Sequence, residues 1–116
     1  IINTSSMAGK IGMPNSTLMC MVKHGIIGLT KALAVDYGRH NINVNAVCPA
    51  LLETETTKQR MIPNFDTIKK IIENNSALGR LTTPEEMSKI YVFLASDEAS
   101  FMTGQAINWT GGFVMI

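Results

Sequence analysis

The chain is poor in the features that mark a partner of extreme chemistry. It has no block of one charge: ten Lys and Arg stand against nine Asp and Glu, a net +1 spread along 116 residues. A phosphate backbone is tracked by a basic stripe, so nucleic acid is not an expected partner. Cysteine is scarce too. Cys20 and Cys48 are isolated, with neither a C-x-x-C spacing nor a nearby histidine pair, which excludes a disulfide framework and a metal site. They read as buried thiols in a reducing cytosol, and a cytoplasmic location is expected. No unbroken apolar run of about 18 residues occurs, so no membrane-spanning segment is expected. The start, Ile1-Ile2-Asn3-Thr4, lacks the basic residues and cleavage pattern of a signal peptide. Internal repeats, linkers and low-complexity tracts are missing as well.

What remains is globular in character. With 46% hydrophobic and 16% charged residues the chain is sized for one domain. Such a domain buries roughly two-thirds of the surface its unfolded chain exposes. The opening on Ile-Ile, without Met, reads as the inside of a β-strand, so a fragment of a longer protein is expected.

Periodicity orders the elements. A short apolar start, Ile1 to Ser6, runs into the small-residue loop Ala8 to Pro14, where two glycines and a proline exclude a helix. From Asn15 or Ser16, both good N-caps, to Gly38 no proline intervenes. Leu18, Val22, Ile26, Leu29 and Leu33 recur there at helical intervals and predict one long amphipathic helix. Ile42 to Cys48 alternates at period 2 and stops at Pro49, a strand pattern. Strand, helix and strand make a right-handed βαβ crossover with parallel strands. Leu51 to Asn64 reads as a loop or short helix, and Phe65 to Asn74 as a helix closed by Gly79. Thr83-Pro84-Glu85-Glu86 is a capping box with proline at the first helical position, opening a helix to about Ser96. A short strand, Ala106 to Trp109, lies between turns at Thr103-Gly104 and Gly111-Gly112.

Ligands enter such a sheet at the carboxyl ends of its parallel strands. Two loops qualify, those beginning at Ser5-Ser6 and at Pro49. Met19 and Lys23 stand four apart in the long helix and share a face. If that face looks toward the Ser6 loop, a hydroxyl, position 19 and an ammonium converge. Carbonyl reduction needs one group to hold the oxygen, one to supply a proton and one to lower the donor's pKa. Taken singly, Ser6 suits loop capping, Lys23 a solvated helix face, His24 the surface, and Arg80 closure of its segment. Trp109 and Phe113 fit core or subunit contact. The eight methionines read as adaptable apolar fill.

Thr4-Ser5-Ser6-Met7-Ala8-Gly9, Met19-Cys20-Met21-Val22-Lys23, Ile42 to Pro49, Gly79-Arg80-Leu81, Pro84-Glu85-Glu86, Phe93 to Asp97, Thr103-Gly104-Gln105 and Gly111-Gly112 together resemble the short-chain dehydrogenase/reductase family, end to end. The resemblance implies an α/β fold, the C-terminal half of a Rossmann-type doubly wound parallel sheet. Residues 1–116 would then be the C-terminal portion of one domain whose dinucleotide-binding half is absent. It implies NAD or NADP as cofactor, a small carbonyl or alcohol substrate, and homo-oligomers, dimer or tetramer, through the long helix and the last helix and strand. By the same resemblance Ser6 holds the substrate oxygen, Lys23 binds the nicotinamide ribose, and Pro49, Leu52 and Thr54 contact the nicotinamide carboxamide. Three positions depart from the pattern. Met19 stands where the family has its proton-handling tyrosine, Ala50 where glycine is usual, and Thr110 where Asp precedes Gly-Gly. A thioether has no dissociable proton, so Met19 predicts an impaired or silent site. Cys20, about 100° around the helix, faces elsewhere. The glycine-rich turn that carries the pyrophosphate is also absent, so cofactor binding by this chain alone is expected to be weak.

Overall fold

The computed structural model describes residues 1–61 and 63–116; Ile62, in the stretch read as loop or short helix, lies outside the described residues. The order of elements is β1 (Ile2–Thr4), α1 (Thr17–Tyr37), β2 (Asn45–Pro49), α2 (Glu55–Arg60), α3 (Phe65–Asn75), α4 (Pro84–Ala95) and β3 (Ala106–Trp109). The three strands form one parallel sheet in the order β1-β2-β3. The sheet, with α1 on one face and α4 on the other, has the Rossmann-type α/β architecture expected.

β2 is central, and Ala46, Val47 and Cys48 are fully buried in it. Side chains alternate across a strand, which sorts the two layers. Val47, Ile2, Ile107 and Trp109 point to one face and pack with Ile90, Tyr91 and Leu94 of α4. Asn3 points to the other, where its Nδ2 donates to Thr30 Oγ1 of α1 at 2.9 Å. A second apolar cluster joins Met7, Leu51, Phe65, Ile72, Leu81 and Val114, so α3 and the C-terminal tail close over the loops that follow β1 and β2. Trp109 and Phe113 both lie within these clusters, and Trp109 Nε1 donates to Thr82 Oγ1 at 3.1 Å.

Several boundaries differ from expectation for physical reasons. The loop after Ser6 contains one 3-10 turn, Met7–Gly9, since a single turn tolerates the small residues that end an α-helix. β2 starts at Asn45 rather than Ile42, because the Val44 N–H is taken by Thr103 Oγ1 at 3.0 Å instead of by a strand neighbour. Ser16 occupies the N-cap of α1, yet its hydroxyl turns back to Pro14 O, while Asn15 adopts a left-handed φ of 56°. The capping box at Thr83 forms in full, with Glu86 N to Thr83 Oγ1 at 3.2 Å and Thr83 N to Glu86 Oε2 at 3.1 Å.

The largest correction concerns α1. Its buried positions are Ile27, Thr30 and Ala34, whereas Leu18, Val22 and Leu29 of the expected core stripe are exposed. Both ridges of the helix are apolar, so periodicity did not choose between them, and the ridge with smaller residues approaches the sheet. Counted by composition rather than by unbroken runs, Thr17–His40 is long and apolar enough to cross a membrane, with a mean hydropathy of 1.5 over its most apolar window. Here one ridge of it lies on the sheet, and only 17% of that window is buried.

Candidate functional site

The loops at the carboxyl ends of β1 and β2 meet the first turns of α1. Ser5 extends the β1 ladder, its N–H donating to Val47 O at 2.8 Å, and its buried hydroxyl donates to Lys23 O at 2.8 Å. That bond ties the serine turn to the helix. Gly9 permits the approach: a Cβ there would stand 2.7 Å from Lys23 O and collide with Ser5 Oγ. Ser6, next in line, is half-buried, and its Oγ accepts from Ala8 N at 3.2 Å as the N-cap of the 3-10 turn. Its own proton remains available to a ligand oxygen.

Lys23 reaches back to the same turn. Its Nζ donates to Thr4 O at 3.1 Å, which puts the ammonium at the carboxyl end of β1. Residues 1, 3 and 5 hydrogen-bond to β2, so Thr4 O faces the side of β1 away from β2. Met19 sits one turn earlier on the same flank, 54% exposed, and offers only a thioether. Cys20 turns away, its Sγ 3.7 Å from Ile11 O. Serine hydroxyl, position 19 and ammonium therefore lie on neighbouring elements at one end of the sheet.

The Pro49 loop forms the other wall. Ala50 N donates to Trp109 O at 3.1 Å, and Ala50 is not among the residues with positive φ, so alanine in place of glycine costs little backbone strain. Leu52 bridges to Thr82. Thr54 caps α2, accepting from Thr57 N at 3.1 Å. Thr110, at the usual aspartate position, closes its own turn, exchanging bonds of 3.0 and 3.1 Å with Val114.

Electrostatics near the site centre on Cys48, which is fully buried; burial pushes its thiol pKa up, against a lowering hydrogen bond from Ser5 and the positive fields of Lys10 and Lys23. It is an inert packing thiol rather than a nucleophile. Away from the site, the Arg80 guanidinium grips Glu86 at 2.7 and 2.8 Å and holds its carboxyl down to about 2. Arg80 thus anchors the start of α4. Ser5 and Gly9 are the structural supports that sequence reasoning missed, since a serine pair does not say which hydroxyl turns inward. No metal-ligating cluster occurs among the described residues.

A parallel sheet whose serine turn is pinned to a lysine-bearing helix places the chain in the class of Rossmann-type α/β folds, and comparison with known proteins narrows it. A family model described as enoyl-(acyl carrier protein) reductase matches residues 1–114. The chain belongs to the short-chain dehydrogenase/reductase family. It is 38% identical over 116 residues to a 2,5-dichloro-2,5-cyclohexadiene-1,4-diol dehydrogenase of Sphingobium indicum, covering 100% of this chain and 46% of that protein. It is 40% identical over 115 residues to the 3-oxoacyl-[acyl-carrier-protein] reductase FabG of Thermotoga maritima, covering 99% and 45%. A solved 4-hydroxyisoleucine dehydrogenase complexed with NADH superposes with a TM-score of 0.88 at 31% identity, covering 98% of this chain and 46% of that one. The chain thus spans a little under half the length of these relatives.

Proposed function

We propose that these residues are the C-terminal portion of an NAD(P)(H)-dependent oxidoreductase that interconverts an alcohol and a ketone, and that the proton step of this site is impaired. The observation that carries the reading is the Lys23 ammonium, 3.1 Å from Thr4 O beside the serine turn and one helical turn from Met19. The residues suited to the nicotinamide end, Lys23, Pro49, Leu52 and Thr54, are present at the strand ends, and Lys23 would hold the ribose hydroxyls. The glycine-rich turn suited to the pyrophosphate is not in this chain, so its own affinity for the dinucleotide is weak. When bound, the nicotinamide supplies or takes the hydride. Ser6 donates its hydroxyl proton to the substrate oxygen and fixes it. Lys23 places positive charge where an alkoxide develops. Met19 has no proton to give, which removes a factor of about 10²–10⁴ in rate. The cell compartment that suits two free thiols, Cys20 and Cys48, is the cytoplasm.

The test is Met19→Tyr in a protein that carries the dinucleotide-binding half. The expected outcome is a gain of NAD(P)H-dependent carbonyl reduction over the parent; no gain would sink the reading.

A second reading rests on the outer face of α1. Leu18, Met21, Val22, Leu29 and Val35 are exposed there, Val35 by 80%. A helix apolar on all sides is normally covered. In this reading the chain serves packing and homo-oligomerisation, as a dimer or tetramer. Leu29→Glu with Val35→Glu would then leave a monomer by light scattering, whereas an unchanged mass would exclude it.

A further inference from the structure

On the flank of α1 opposite Lys23, between that helix and β3, runs an open cleft of about 390 Å³. Ile27 and Ala106 floor it, and Lys10, His24, Lys31 and Gln105 rim it. We propose that this cleft binds a compact oxyanion of the phosphate class, inorganic phosphate or diphosphate.

The charge pattern is the first argument. No acidic residue lines the cleft. Only Asp36 among the nine acids precedes Glu53, so the segment that builds α1 and its neighbours carries Lys10, Lys23, Lys31 and Arg39 against one carboxylate. The ion pairs among the described residues join Glu53 to Lys58 and Lys69, and Glu86 to Arg80. Lys31 takes part in none of them, and Lys10 is engaged, among the described residues, only by an oxygen of Ile116. A cleft lined by one sign of charge over an apolar floor focuses the field and concentrates counter-ions.

The donors and acceptors choose among anions. His24 Nδ1 lies 2.9 Å from Cys20 O. A carbonyl only accepts, so the ring proton sits on Nδ1, and Nε2 of the neutral ring is an acceptor. Hydrogen phosphate offers both a P–OH to that nitrogen and charged oxygens to the ammonium groups, while a carboxylate offers only the second. His24 and Lys31 are seven residues apart on one flank of α1, roughly 10.5 Å along the axis, a span that two linked phosphates and a flexible lysine bridge. Lys10 Nζ donates to Ile116 O at 3.0 Å, which holds it at one end of the cleft. No aromatic side chain lines the cleft, so a nucleobase finds no stacking platform.

The experiment titrates phosphate, diphosphate and succinate separately into the ¹⁵N-labelled chain at low salt. Saturable amide shifts confined to Lys10, His24, Lys31 and Gln105 are expected, strongest for diphosphate. Lys31→Gln weakens diphosphate about tenfold, the loss of roughly one charge-assisted contact. Gln105→Glu, nearly isosteric and exposed, sets a carboxylate in the cleft and abolishes binding. Lys89→Gln, on α4 across the sheet, changes nothing. The proposal is overturned by shifts that do not saturate or that spread to Lys70 and Lys89, by a Lys31→Gln affinity within about twofold of the parent, or by succinate binding as tightly as diphosphate.

Discussion

Glycine to alanine is one methyl group, and in this chain its sign depends on position. At Gly9 the added Cβ would stand 2.7 Å from Lys23 O and 3.0 Å from Ile27 Cδ1, while colliding with the Ser5 hydroxyl. Two of these three neighbours are held fast: the carbonyl belongs to a helix, and the hydroxyl bonds to it. The methyl must lift α1 from the serine turn, a case of overpacking that costs about 1–3 kcal/mol. At Gly25 and Gly28, in the interior of the same helix, a Cβ meets nothing within 4 Å. There alanine contributes only its better helix propensity, a gain of about 0.5–1 kcal/mol at each site. Urea unfolding followed by circular dichroism in dilute solution reads all three variants. Gly9→Ala should lower the midpoint, and Gly25→Ala and Gly28→Ala should raise it with m unchanged. A Gly9→Ala protein as stable as the parent would show that close contact between helix and turn does not hold the site. If the Gly25 and Gly28 variants gain stability when dilute and lose it when concentrated, the face they occupy is covered by another copy.

Three further outcomes follow from named contacts. Ser5→Ala should cost about 1 kcal/mol in urea unfolding, more than Ser6→Ala, because the Ser5 hydroxyl is buried and bonded to Lys23 O whereas Ser6, the cap of a single 3-10 turn, is itself only half-buried; equal losses would contradict it. The folded-state carboxyl of Glu86 titrates at about 2 against an ordinary 4.5. The stability it contributes is complete above 4.5 and is lost as pH falls toward 2, so Glu86→Gln should flatten the acid limb of the stability profile, and an unaltered limb would refute the pairing with Arg80. Gly112 has φ of 84° and would bring a Cβ 2.6 Å from Ala77 Cβ, so Gly112→Ala should destabilise by about 1–3 kcal/mol in the same assay; a neutral variant would show that the tail does not pack there.

Local signals were readable from the chain and distant ones were not. The capping box at Thr83 and Glu86 closes within four residues, so spacing alone predicts it and the structure forms it. The parallel pairing of β1 and β2 follows from the length of α1, which only a crossover accommodates, whereas the place of β3 beside β2 was not legible in the chain. The late start of β2 at Asn45 turns on the bond from Val44 N to Thr103 Oγ1, 59 residues away, which no local pattern encodes. The inward ridge of α1 was misread because Leu18, Val22 and Leu29 are as apolar as the ridge that packs. Lys23 lies beside the serine turn, its Nζ on Thr4 O, a placement within reach of helical spacing because α1 starts close to the end of β1. The division of labour between Ser5 and Ser6 is set by the tertiary fold, since identical side chains carry no directional information.

Lys23 belongs to two elements at once. Its side chain leaves α1 and ends on Thr4 O at the carboxyl end of β1, while its own main-chain carbonyl accepts from Ser5 Oγ. Both ends of one residue thus clamp the helix to the serine turn. Replacing it by a neutral residue, for whatever biochemical purpose, therefore also loosens a structural tie, so a lost activity in such a variant reports on function only where its unfolding midpoint is measured beside it.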